Sequence, residues 1–202
     1  DLVSSRGLGD VYKRQTSSEI AQGEVLQLQH NKEIDILEET YLNIISSKTA
    51  SLFAAATKVG AIIAEKDLKY KNALEFYGKN LGLTFQIADD TLDYNSELKL
   101  FGKNIGNDFY EGKVTLPIIL LYQKVDKFEK EKLKSFFEKD IREKQDLEHV
   151  LVLIKKNNII NECYKKAEHY INLASNSLSV FEESEEKNIL KNLTSFSIER
   201  NF

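Results

Sequence analysis

The stretch LFAAATKVGAIIAE, residues 52–65, decides the fold. From Leu52 to Ala64 it is small or apolar on nearly every side. At helical spacing it lacks a polar face, which predicts a helix buried on most sides rather than one lying on a surface. Lys58 and the polar residues ahead of it make it a poor membrane span. It closes an apolar-rich run that starts near residue 33 and reads as helical throughout. The pattern stays helical on both sides. SSEIAQGEVLQLQ (17–29) precedes it, and a helix over 67–94 follows, with Asp67 as its cap. Thr115 and Pro117 mark another helix start. Amphipathic helices then fall at 127–139, 145–157, 159–181 and 186–198. No segment has strand periodicity and no repeat stands out, so the expectation is one all-α domain with a buried central layer.

The 202 residues suit one domain with a substantial core. One proline and nine glycines favour long helices. A net charge of −4 offers no basic surplus for nucleic acid. The single cysteine, Cys163, cannot form an internal disulfide and points to a reducing, cytoplasmic compartment. The chain contains no methionine, and DLVSSRGLGDVYKRQ (1–15) mixes Gly, Ser and Arg without helical periodicity or a signal-peptide core. The expectation is that 1–15 is a foreign or artefactual leader, joined to a domain over 16–202 whose beginning is missing.

The chemistry starts at FQIADDTLDY, residues 85–94. Asp89, Asp90 and Asp93 stand among Phe85, Ile87, Leu92 and Tyr94, although crowded carboxylates repel and are costly to bury. At about 100° per residue, Asp93 lies roughly 40° and Asp90 roughly 100° from Asp89, with Gln86 inside the arc. Such an oxygen-rich face suits Mg²⁺, which would relieve the repulsion and is commonly shared between carboxylates and a phosphate. A solvated acidic face is the plainer alternative.

The next loop, FGKNIGNDFYEGKVTLP (101–117), places Lys103 and Lys113 each after a glycine. Glycines permit close backbone approach and lysines supply point charges for phosphate. It is no P-loop: the glycine spacing is too long and Val114 stands where Ser or Thr is required. Upstream, Tyr41, Ile45, Lys48, Leu52 and Ala55 recur on one helical stripe, which sets Lys48 facing inward and in need of an anion. An inward aspartate could serve. So could a substrate phosphate held by Lys48 and Thr49 and bridged by metal to Asp89 and Asp90. Carboxylates and lysines around an apolar interior suggest an amphiphilic substrate, diphosphate at one end and hydrocarbon beyond.

Taken in order, GEVLQLQ (23–29), YLNIISSKTASLFAAATKVGA (41–61), LGLTFQIADDTLDY (81–94) and FGKNIGNDFYEGKVTLP resemble the later motifs of the trans-polyprenyl diphosphate synthases, octaprenyl-type enzymes among them. The resemblance runs from about residue 16 to the end. It implies an all-α prenyltransferase bundle, usually a homodimer, that joins an allylic prenyl diphosphate to isopentenyl diphosphate. It implies that Asp89, Asp90 and Asp93 form the second aspartate-rich motif and bind Mg²⁺, and that Lys48, Thr49, Gln86, Lys103 and Lys113 contact the allylic diphosphate. The family's first aspartate-rich motif and its isopentenyl-diphosphate site lie upstream of GEVLQLQ and do not occur here, so the chain is expected to be an incomplete half. A class I terpene cyclase and a non-catalytic subunit of a heteromeric prenyltransferase remain as alternatives. The Lys103–Lys113 loop argues against the first, and retention of the aspartates and lysines against the second.

Overall fold

The computed structural model describes residues 2–95 and 105–197, with side chains described from Arg14 onward. Among the described residues every regular element is helical. In order they are α1 (Leu2–Gln29), α2 (Glu38–Ile45), a π turn (Ser46–Ala50), α3 (Ser51–Ile63), α4 (Leu68–Leu92) and the short α5 (Asn107–Glu111). Then come α6 (Leu116–Lys124), α7 (Lys127–Glu138), α8 (Lys144–Lys156), α9 (Ile159–Ser177), a 3₁₀ turn (Leu178–Val180) and α10 (Glu185–Phe196). The four C-terminal helices lie where the sequence predicts them. No helix among the described residues is long and apolar enough to cross a membrane.

α4 is the central element, packed against α3 along one side and α9 along the other. Two glycines bring α3 close. A Cβ on Gly82 would fall 2.6 Å from Ala50 Cα, and one on Gly78 would strike the Phe53 carbonyl and the Thr57 hydroxyl. The main core gathers Tyr41 and Ile45, Leu83 and Ile87 of α4, the inner faces of α6 to α8, and Ile159, Cys163 and Ala167 of α9. A smaller cluster joins Tyr77 and Leu81 to Ala174 and Leu178.

Two expectations are corrected, and one helix is longer than its pattern predicts, since α1 begins at Leu2. Serine and glycine cost a helix about 1 kcal/mol or less per residue, so a missing apolar stripe does not stop α1 from running on from its packed end. α3 is not buried on most sides, since only Ala54 and Ala61 are fully enclosed on it and Leu52 and Ile63 are exposed. α4 and α1 pack against α3, while Leu52, Ala56, Gly60 and Ile63 stay exposed. Asp67 and Thr115 do occupy cap positions, but neither side chain makes a capping hydrogen bond.

The glycines give a paired test by thermal and denaturant melts. Gly82→Ala should destabilise the chain by about 1–3 kcal/mol, because its methyl meets backbone that cannot step aside. Gly60→Ala, with nothing within 4 Å of its new methyl, should stabilise it by about 0.5–1 kcal/mol.

Candidate functional site

The helix from Glu38 to Ile63 is continuous, but it widens into a π turn over SSKTA, residues 46–50. The extra residue breaks the stripe read from the sequence. Tyr41 and Ile45 point into the core, whereas Leu52 turns outward. π turns inside α-helices recur at functional sites because they re-aim side chains, and here the re-aimed residues include Lys48 and Thr49. α1 presses on this turn: a Cβ on Gly23 would lie 2.6 Å from Lys48 N. The Lys48 ammonium, half-buried, donates to Gln27 Oε1 at 2.6 Å and pairs with Glu24 Oε2 at 2.7 Å. Its partner is therefore a carboxylate of GEVLQLQ and not an inward aspartate.

Asp90 is 4% exposed, and both its oxygens are engaged. The Tyr41 hydroxyl donates to Oδ2 and Gln86 Nε2 to Oδ1, each at 2.7 Å. Gln86 Oε1 in turn accepts from the Thr49 hydroxyl at 2.7 Å. Thr49, Gln86, Asp90 and Tyr41 thus form one hydrogen-bonded chain linking the π turn, α4 and α2.

The three aspartates do not share one role. Asp93 binds the start of α5: Oδ1 accepts from Asn107 N at 3.1 Å and Oδ2 from Asp108 N at 2.9 Å. Asp89 is exposed and pairs with no described residue. A fourth carboxylate, Asp108, faces the cluster from α5. Burial, then the Asp108 charge, push Asp90 up to about 7, against the pull of its Tyr41 and Gln86 donors. Burial also raises Asp93 despite its backbone donors, and burial followed by Asp93 raises Asp108 despite Lys113. Lys113 stands 3.5 Å from Asp108 and 2.6 Å from Glu111. Lys103 lies outside the described residues.

The structure therefore joins Thr49, Gln86 and Asp90 directly and places Asp93 and Lys113 around Asp108. Sequence reasoning missed Asp108, and it saw Tyr41 only as an apolar stripe member. The signal for Asp108 was its place between Gly106 and Gly112, both of which have positive φ and bracket α5. No group of three or more carboxylate, histidine or cysteine side chains among the described residues surrounds a common point. The donor set fits a cation held by one or two carboxylates, with water and phosphate completing its shell, which is the habit of Mg²⁺.

The polyprenyl synthetase family model matches residues 8–154. The chain belongs to the polyprenyl synthetase family. It is 37% identical over 182 residues to an all-trans-nonaprenyl-diphosphate synthase of Rhodobacter capsulatus, covering 90% of this chain and 55% of that relative. It is 31% identical to an octaprenyl diphosphate synthase of Haemophilus influenzae, again spanning 55% of it. A polyprenyl synthase of Caulobacter crescentus, solved with calcium and isoprenyl diphosphate, superposes with a TM-score of 0.91 at 34% identity, over 100% of this chain and 62% of that one. The chain thus spans little more than half the length of the relatives it matches. The all-α prenyl synthase fold is as expected, and the family match begins inside the segment read as a leader.

The buried carboxylate makes stability depend on pH. Asp90 binds its proton more tightly folded than unfolded, so its contribution is full below about pH 4 and is lost as pH rises through about 7. In metal-free buffer, denaturant melts should show a loss of up to about 4 kcal/mol across that window. Asp90→Asn can accept from Gln86 and donate to Tyr41, and it should flatten the profile.

Proposed function

We propose that this chain supplies one wall of a trans-prenyltransferase site that joins an allylic prenyl diphosphate to isopentenyl diphosphate and so makes a polyprenyl diphosphate. The observation that carries this reading is the Thr49–Gln86–Asp90–Tyr41 chain, which ties the lysine-bearing π turn to a carboxylate cluster whose burial and mutual charge raise Asp90. Mg²⁺ bound there would place positive charge beside the departing diphosphate. Asp89 offers it an exposed carboxylate, and Asp90 and Asp93 have lone pairs beyond those their donors occupy. Lys48, Lys103 and Lys113 contact the diphosphate, and Thr49 joins them by turning its one hydroxyl proton from Gln86 Oε1 to a phosphate oxygen. Divalent-metal use is supported by the calcium and isoprenyl diphosphate of the Caulobacter crescentus structure. The facing acidic cluster belongs, in this reading, to the part of the relatives that this chain does not span. Homodimeric assembly and a cytoplasmic setting complete the proposal, the latter supported by a free cysteine in the core.

Calorimetry with Mg²⁺ and a non-hydrolysable allylic diphosphate should show coupled binding that Asp89→Ala weakens. Unchanged binding by Asp89→Ala/Asp90→Ala would remove the metal assignment. In a chain extended to the full length of its relatives, Lys48→Gln should cost about 2–4 kcal/mol of transition-state stabilisation, roughly 30- to 1,000-fold in turnover. Its stability should change by less than about 1 kcal/mol, because the Lys48–Glu24 pair is 31% and 47% exposed. Normal turnover with a strongly lowered melting midpoint would make Lys48 structural.

A further inference from the structure

Arg142 lies in the connection between α7 and α8 and is 6% exposed. It makes no ion pair among the described residues. Its two described hydrogen bonds go to carbonyl oxygens, from Nη2 to Phe137 at 2.6 Å and from Nη1 to Tyr110 at 3.2 Å. The guanidinium lies 5.4 Å from the centre of the Phe137 ring, and Nε is buried with no acceptor among the described residues. Asp140 and Asp146 act on the guanidinium only from beyond ion-pair distance, and a buried cation with no carboxylate in contact is costly, so an apolar side chain of similar volume would serve the core better. What the cation contacts instead is the end of α5 and the turn beyond it.

That turn is shaped around the guanidinium. A Cβ on Gly112 would fall 2.7 Å from Nη2, and Gly112 has a φ of +76°. Gly112 N donates to Phe109 O at 3.0 Å and Lys113 N to Asp108 O at 2.9 Å, so the site residues Asp108 and Lys113 are tied to this same turn. A second clamp comes from Lys32, whose backbone N donates to Gly112 O at 2.9 Å while its ammonium meets Asp140 at 2.8 Å. Asp93 holds the other end of α5.

We propose that Arg142 is a positioning residue for the diphosphate site: by locking Tyr110–Gly112 from below, it fixes where Lys113 and Asp108 stand. The inference rests on the reading that Lys113 contacts a diphosphate. It makes Arg142, which touches no reacting group, a determinant of binding there.

Two measurements on the 202-residue chain test it: amide hydrogen exchange, and calorimetry with Mg²⁺ and inorganic pyrophosphate. Arg142→Gln and Arg142→Lys should speed exchange at Gly112 and Lys113 about tenfold while leaving α4 and α9 unchanged. Both should weaken pyrophosphate binding about tenfold. Gly112→Ala, which displaces the turn from the other side, should do the same and serves if Arg142→Gln does not fold. Exchange at Gly112 and Lys113 no faster than in the parent chain would overturn the proposal. So would faster exchange in every helix with binding per folded molecule intact, the mark of a structural role. Parent and Arg142 variants binding pyrophosphate alike overturns the Arg142 inference alone, whereas no binding by the parent overturns the reading of the site with it.

Discussion

The rest of this structure depends on a buried carboxylate that has no cation beside it among the described residues. Asp90 is enclosed at the end of α4, and Asp108 and Asp93 add like charge nearby. Removing an ion from water costs several kcal/mol even after relaxation. The fold offsets part of that with two donors, Tyr41 and Gln86, and leaves the remainder. Each donor then constrains an element. Tyr41 must be buried for its hydroxyl to reach Oδ2, which holds α2 against α4. Gln86 must turn its amide toward Asp90, which leaves its carbonyl for Thr49 and sets the π turn beside α4.

Much of this was legible in the sequence, and what was not has specific physical causes. The three aspartates and Gln86 could be placed on one face because α4 is a regular helix, where spacing converts directly to angle. Asp89, Asp90 and Asp93 nevertheless differ in burial and partners, because those depend on α2 and α5, which pack there from elsewhere in the chain. The stripe through Tyr41, Lys48 and Leu52 failed at the π turn. Periodicity assumes one fixed pitch, and nothing in SSKTA announces an added residue. LFAAATKVGAIIAE gave the right element and the wrong burial, since composition records what a helix could bury and not what lies against it.

The glycines explain why the π turn is stable where it is. Gly23 lets α1 onto the backbone at Lys48, and Gly82 lets α4 onto Ala50 at the far end of the same turn. Two backbones thus close on one five-residue segment. A wider turn leaves backbone groups less well paired than a regular helix, and it persists where its surroundings over-determine it. The close approaches from both sides supply that constraint. They also fix the origin from which Lys48 and Thr49 project.

The lysines complete the electrostatic argument. Lys48 and Lys113 each hold a carboxylate at the rim, Glu24 and Glu111, in pairs whose members stay between 28% and 58% exposed. Pairs of that kind are worth about 1 kcal/mol or less, because water and salt already screen them. Exchanging such a carboxylate for a more highly charged diphosphate therefore costs each lysine little and gains a stronger partner. Asp90 is in the opposite position: among the described residues its partners are the neutral Tyr41 and Gln86, and none is a cation. Cations held loosely at the rim and carboxylates held below form a surface that, under the proposed function, a metal–diphosphate pair would satisfy in both halves at once. Under the proposed function, this asymmetry explains why the fold tolerates Asp90 at all.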